Sequence, residues 1–147
     1  MAIKAEVIHI AALMPEYERV KSLYGVGDIT AAQLITEIGD GRRFDNRSSL
    51  IEFAGVDPST NQSGKYESKS GKVTKRGSSH LRKTLFQVVS THLKHSPENE
   101  AVFQFIDRKR AEGKPYHAYM TTGANKFSRI YYGIIKPFLI AFDSENN

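Results

Sequence analysis

A serine hydroxyl beside a glycine, followed by a run of cations, has the parts needed to attack a phosphodiester. The stretch Ala54-Gly55-Val56-Asp57-Pro58-Ser59-Thr60-Asn61-Gln62-Ser63-Gly64-Lys65 has that composition. A serine becomes a nucleophile when its proton is removed and charge on the attacked group is neutralised. Lys65, Lys69, Lys72 and Arg76 can supply the neutralisation. No catalytic base is evident nearby. Ser59, Ser68, Ser70, Ser78 and Ser79 are neighbours, so the residues alone leave Ser63 one hydroxyl among several.

Two further constellations suit phosphate. In Leu23-Tyr24-Gly25-Val26-Gly27-Asp28-Ile29-Thr30-Ala31, a tight Gly-x-Gly turn joins two apolar helical segments. Glycines permit positive φ and close approach, as Gly25 and Gly27 would here. The following helix N-terminus, with Thr30, can then aim backbone N–H groups at a phosphate. Such a contact positions the protein without reading sequence. A plain helix–turn–helix corner is the competing reading. In Lys72-Val73-Thr74-Lys75-Arg76-Gly77-Ser78-Ser79-His80-Leu81-Arg82, cations and hydroxyls lead into a helix. The competing reading there is ordinary capping with solvated Lys72, Lys75, Arg76 and Arg82.

Charge placement sharpens the picture. Residues 61–85 hold seven basic residues against one acidic residue, a net +6, while the remaining 14 basic and 15 acidic residues sum to −1. A block of this kind is the electrostatic footprint of a phosphate-backbone binder, or else a solvated basic loop. Other chemistry finds little support. The five histidines form no recognisable metal set, and no acid pair stands out as general acid and base. Tyr116, Tyr119, Tyr131 and Tyr132 can stack on bases, although helical spacing favours a core role. The absence of cysteine excludes disulfides and thiolate metal sites. No run approaches a membrane span and no leader is evident, so the chain reads as cytoplasmic.

The elements that must position these residues are helical. Its 147 residues suit one domain, residues 1–147. Val7, Ile8, Ala11 and Met14 keep helical spacing, and Pro15 suits a first helical position before Val20 and Leu23. A helix runs from about Ile29 to Gly39, and another from Ser48 to Ala54. Asp57–Lys75 is polar and glycine-containing, and reads as a loop with room for a small β-hairpin within Gln62–Thr74. Ser78 or Ser79 caps a helix carrying Leu81, Leu85, Val88, Val89 and Leu93, which Ser96-Pro97 ends. Val102, Phe103 and Ile106 mark another, up to Gly113. Phe127, Ile130, Tyr131, Ile134, Ile135 and Phe138 mark the last, with Pro137 expected to end or kink it. The fold class is all-α: a helix-hairpin-helix over about 15–39, a basic loop over about 55–77 and a bundle of three longer helices over about 78–140.

In this order and spacing the three constellations resemble transposases of the insertion sequence 110/116/902 family, from about Val20 to Lys136. The resemblance runs through Leu23–Gly27, Gly39-Asp40-Gly41-Arg42-Arg43-Phe44, Phe53–Pro58, Gln62-Ser63-Gly64 and Thr74–Gly77 with Leu81-Arg82. Tyr24 stands where the family usually has proline. The resemblance implies the nucleophile-bearing C-terminal domain of a serine-type recombinase, in which Ser63 attacks DNA and becomes covalently linked to it. It also implies an RNase-H-like acidic domain with Mg²⁺ that is not part of this sequence, so the chain is expected to be a fragment without cofactor and inactive alone. DNA, a structured bridge RNA and further copies of the chain are the implied partners. The alternative is a helix-hairpin-helix nucleic-acid-binding module without chemistry, and Ser63 with its basic surroundings separates the two.

Overall fold

The computed structural model describes residues 2–57 and 64–146, with side chains over 5–57 and 79–146. Its elements are α1 (Ala2–Ala11), α2 (Tyr17–Lys21), α3 (Asp28–Ile38), a 3-10 turn (Gly41–Arg43), α4 (Arg47–Ala54), α5 (Gly64–His95), α6 (Ala101–Ala111) and α7 (Tyr116–Asn146). No strand occurs among the described residues. The expected all-α class is what the backbone adopts.

Local signals explain most boundaries. Gly39, at φ 72°, closes α3 in a conformation that side chains rarely take. Asn46 caps α4, its side chain accepting from the Ser49 N–H at 2.9 Å, and Gly55 ends it in the left-handed region. Periodic apolar residues then bury one face of each helix. Leu34, Ile35 and Ile38 of α3 meet Leu81, Leu85, Val88 and Val89 of α5 in one core with Ile106 of α6 and Phe127, Tyr131, Ile135 and Leu139 of α7. Tyr131 is thus a core residue, 2 % exposed, and burial raises its phenol pKa above the usual value.

Helices α6 and α7 are held in close approach at Gly123. A Cβ there would lie 2.7 Å from Ile106 Cγ2 and 2.9 Å from Val89 Cγ1, so no larger residue fits without repacking. Polar ties fasten the segment between α3 and α5 to α7. Asn125 Nδ2 donates to the Val56 carbonyl at 3.1 Å, and Tyr132 Oη and Lys136 Nζ both donate to the Phe44 carbonyl, at 3.0 and 2.6 Å. Arg42 pairs with Asp40 and Asp143, joining the 3-10 turn to the end of α7.

Three expectations need correction. The polar stretch expected to be a loop is helical from Gly64 onward, and no hairpin occurs in its described part. Lysine and glutamate are good helix formers, so a helix already anchored by Leu81–Leu93 extends backward at only a small cost per residue. Gly71 and Gly77, about 1 kcal/mol each, slow that extension without stopping it. Consequently Ser78 and Ser79 lie inside α5 and cap nothing. Finally, α7 runs through Pro137 to Asn146. The carbonyl that loses its donor belongs to Gly133, four residues back, and both residues are exposed.

Candidate nucleic-acid interface

The glycine turn lies between α2 and α3, anchored from below. Tyr17, Val20 and Val26 are buried, and Tyr17 Oη donates to the Asp28 carbonyl at 3.3 Å. Gly25 adopts φ +85°, and its absent side chain is what lets the turn sit on α5. A Cβ there would meet Val88 Cγ1 at 3.2 Å, the Val88 carbonyl at 3.3 Å and His92 Cδ2 at 3.4 Å. Gly27 is different: it is exposed, has open space around its Cα, and immediately precedes α3 with extended backbone and no side-chain cap. Thr30 is half-buried in the first turn of α3, beside exposed Asp28 and Ile29. Asp28 is not free to repel a phosphate at full strength, because Lys21 Nζ lies 3.2 Å from its carboxylate.

Tyr24, in place of the expected proline, packs its ring on His92 at 4.9 Å between centroids. His92 is 1 % exposed, and neither ring nitrogen has a hydrogen bond of good geometry. Burial pushes its pKa below the usual value, and the Tyr24 backbone beside it offsets part of that shift. In the sequence His92 is one of five histidines that form no metal set; its place under the turn is a tertiary fact.

The cations expected in a loop instead belong to α5. At 100° per residue, positions 65, 69, 72, 76, 83 and 94 fall within an arc of about 60° of the helix register. These positions are Lys65, Lys69, Lys72, Arg76, Lys83 and Lys94. The opposite side of the same register holds the buried Leu81, Leu85, Val88 and His92. In the half of α5 whose side chains are described, Ser79, His80, Lys83, Gln87, Ser90 and Lys94 are the exposed line. Positions 65, 69, 72 and 76 thus share the register of Lys83 and Lys94, which are exposed in the described half of the helix. Lys75 sits at its flank, as does Arg82, which is half-buried. Ser63 lies outside the described residues, directly before Gly64, the first residue of α5.

No group of three or more His, Asp or Glu able to hold a metal ion occurs among the described residues. No described helix is long and apolar enough to cross a membrane. The site is therefore defined by a glycine turn on a helix and a line of cations along it. The described residues that carry them are helical throughout their regular elements.

Comparison with known proteins identifies the family. The family model for "Transposase IS116/IS110/IS902 family" matches residues 17–104, from the start of α2 into α6. The chain belongs to this family. It is 30% identical over 116 residues to the "Insertion element IS110 uncharacterized 43.6 kDa protein" of Streptomyces coelicolor, covering 78% of this chain and 27% of that protein. It is 32% identical over 90 residues to the "Transposase for insertion sequence element IS1111A" of Coxiella burnetii, covering 61% and 24%. It is 28% identical over 132 residues to the "Pilin gene-inverting protein" of Moraxella bovis, covering 89% and 38%. The chain thus spans about a quarter to two fifths of the length of these relatives. No solved structure matches.

Proposed function

We propose that this chain is the DNA-binding, nucleophile-bearing domain of a transposase that cuts and rejoins DNA through a covalent phosphoserine intermediate. The observation that carries the reading is the line of cations on α5, which begins directly after Ser63. A phosphodiester lying along that line meets Lys65, Lys69, Lys72 and Arg76 in register, with Lys75 and Arg82 at its flank. The positive end of the helix dipole adds to their field close to Ser63. Gly25, Gly27 and Thr30 act as a helix-hairpin-helix that holds a second stretch of the backbone by N–H groups.

The chemistry balances without a cofactor on this domain. Ser63 Oγ loses its proton and forms a bond to phosphorus as one sugar–oxygen bond to that phosphorus breaks. The released sugar oxygen takes up a proton. Attack by a hydroxyl of another strand reverses the exchange and restores the serine. Mg²⁺ belongs in this reading to a separate acidic domain of the parent enzyme, where it would neutralise developing charge. A structured guide RNA and self-association are further properties proposed for the parent.

Two experiments test the reading. With about four α5 cations on phosphates, their share of the log–log salt slope for duplex DNA is about −3 to −4. Joint replacement of Lys72, Lys75 and Arg76 by alanine flattens it, and an unchanged slope rules out this surface. In the parent, Ser63→Ala abolishes the protein–DNA adduct and leaves binding nearly intact, whereas Ser59→Ala, Ser68→Ala and Ser70→Ala retain it. An adduct that survives Ser63→Ala shows that another residue is the nucleophile and overturns the assignment of Ser63.

A further inference from the structure

A second set of cations lies on α6 and α7, hidden in whole-chain sums by acidic residues elsewhere. Residues 101–129 carry six basic residues against two acidic ones, a net +4. Three of the six converge on one ring. Arg108 and Lys109 of α6 and Lys126 of α7 lie 5.7, 5.6 and 5.7 Å from the centroid of Phe105. All three charges therefore fall within about 11 Å of one another.

A solvated helix face would not look like this. Arg110 and Lys109 are matched within one turn by Asp107 at 3.0 Å and Glu112 at 3.5 Å. Arg108 and Lys126 have no ion-pair partner among the described residues. The ring offers its negative face to each cation but removes no charge, so mutual repulsion remains. Close packing of the two helices places the third cation. Gly123, one turn before Lys126, lets α7 approach Ile106, the neighbour of Phe105, and so brings Lys126 across to the ring. An anion entering among the three heads relieves their repulsion, and their spread suits a charge that is repeated along a line. Duplex DNA presents one phosphate charge per about 1.7 Å of its axis, so several fall within the span of the cluster.

We propose that Arg108, Lys109 and Lys126, gathered around Phe105, form a second contact surface for the DNA phosphodiester backbone, on helices other than the one carrying the α5 cations. It rests on the DNA-binding reading above. The surface adds affinity and orientation and reads no bases.

The test compares two variants of the chain by fluorescence anisotropy on a labelled duplex DNA across a salt series. Arg108→Gln with Lys126→Gln removes the two unmatched charges and flattens the slope by about 1.8, at about 0.9 per lost phosphate contact. Melting temperature and far-ultraviolet circular dichroism stay as in the wild type. Arg108→Lys with Lys126→Arg keeps the wild-type slope. A double glutamine variant with the wild-type slope overturns the inference, while flattening in the Lys72/Lys75/Arg76 variant still supports the α5 surface. A wild-type chain that binds no DNA overturns both. Duplex RNA and poly-glutamate serve as competitors. If either is lost from the glutamine variant more strongly than DNA is, the surface is not a DNA contact.

Discussion

Gly133 and Gly123 occupy the same helix and make opposite demands on it. A Cβ at Gly133 meets nothing within 4 Å, whereas one at Gly123 meets Ile106 and Val89 at under 3 Å. Gly133→Ala is therefore expected to stabilise the chain by about 0.5–1 kcal/mol, the ordinary helix-interior gain. Gly123→Ala is expected to destabilise it by about 1–3 kcal/mol through overpacking. Urea midpoints of the two variants measure both signs, and a destabilising Gly133→Ala would contradict this account of α7. His92 supplies a residue-scale pH dependence. Its folded pKa lies below the ordinary value of 6.5, because burial disfavours the charged ring packed on Tyr24. The neutral form suits the fold, so its contribution is fully present above about pH 6.5. As pH falls from there toward the folded pKa, the unfolded chain binds more protons and stability declines. His92→Phe should remove that part of the decline. Denaturation midpoints for both chains across this window decide it, and identical profiles would reject His92 as its source.

At the scale of elements, α5 unites features that the sequence presents as separate. Its C-terminal half is a core helix, its N-terminal half carries the basic block, and one register serves both. Backbone helicity through Gly71 and Gly77 has a direct consequence. Gly71→Ala and Gly77→Ala should each raise mean helicity and stabilise the chain by up to about 1 kcal/mol. Circular dichroism and thermal melting measure this; no gain in either variant would mean that the segment is not helical. The turn before α3 depends on α5 as well. Gly25 must approach the Val88 carbonyl at positive φ, so Gly25→Ala adds strain and a close contact, at a cost of about 1–3 kcal/mol. Gly27, with open space, carries no such steric constraint. If both glycines serve DNA binding, Gly27→Ala weakens binding with a smaller loss of stability than Gly25→Ala.

At the scale of the whole molecule, the proposed function has this chain bind DNA phosphates and leaves Mg²⁺ to a separate acidic domain. The purified chain with added Mg²⁺ is therefore expected to bind duplex DNA in a salt-dependent way and neither to cut nor to join it. Gel assays on supercoiled and nicked substrates check this, and clean strand transfer by the chain alone would show a metal site on this domain. The α5 line and the Phe105 cluster both act through charge, so their effects on the salt slope should add if the surfaces are independent.

The residues in their order were enough to reveal several things. Apolar residues at helical spacing located at least part of each of the seven described helices, because burial of one face imposes that period on the sequence. Gly39 marked a helix end, because glycine takes positive φ without strain. The Gly25-Val26-Gly27, Ser63 and Thr74–Gly77 constellations carried the family resemblance that the comparison of residues 17–104 established. The helical state of residues 64–77 was not legible. Polar residues with glycines have the composition of a loop, and only a helix already anchored in the core by Leu81 and Leu85 extends through them. The continuity of α7 past Pro137 was likewise not legible, because proline removes one backbone donor and leaves the choice between ending and continuing to tertiary context. The burial of His92 under Gly25 and the gathering of three cations on Phe105 join residues distant in sequence. No local period encodes such meetings; the tertiary structure alone decides them, because they follow from how the helices cross.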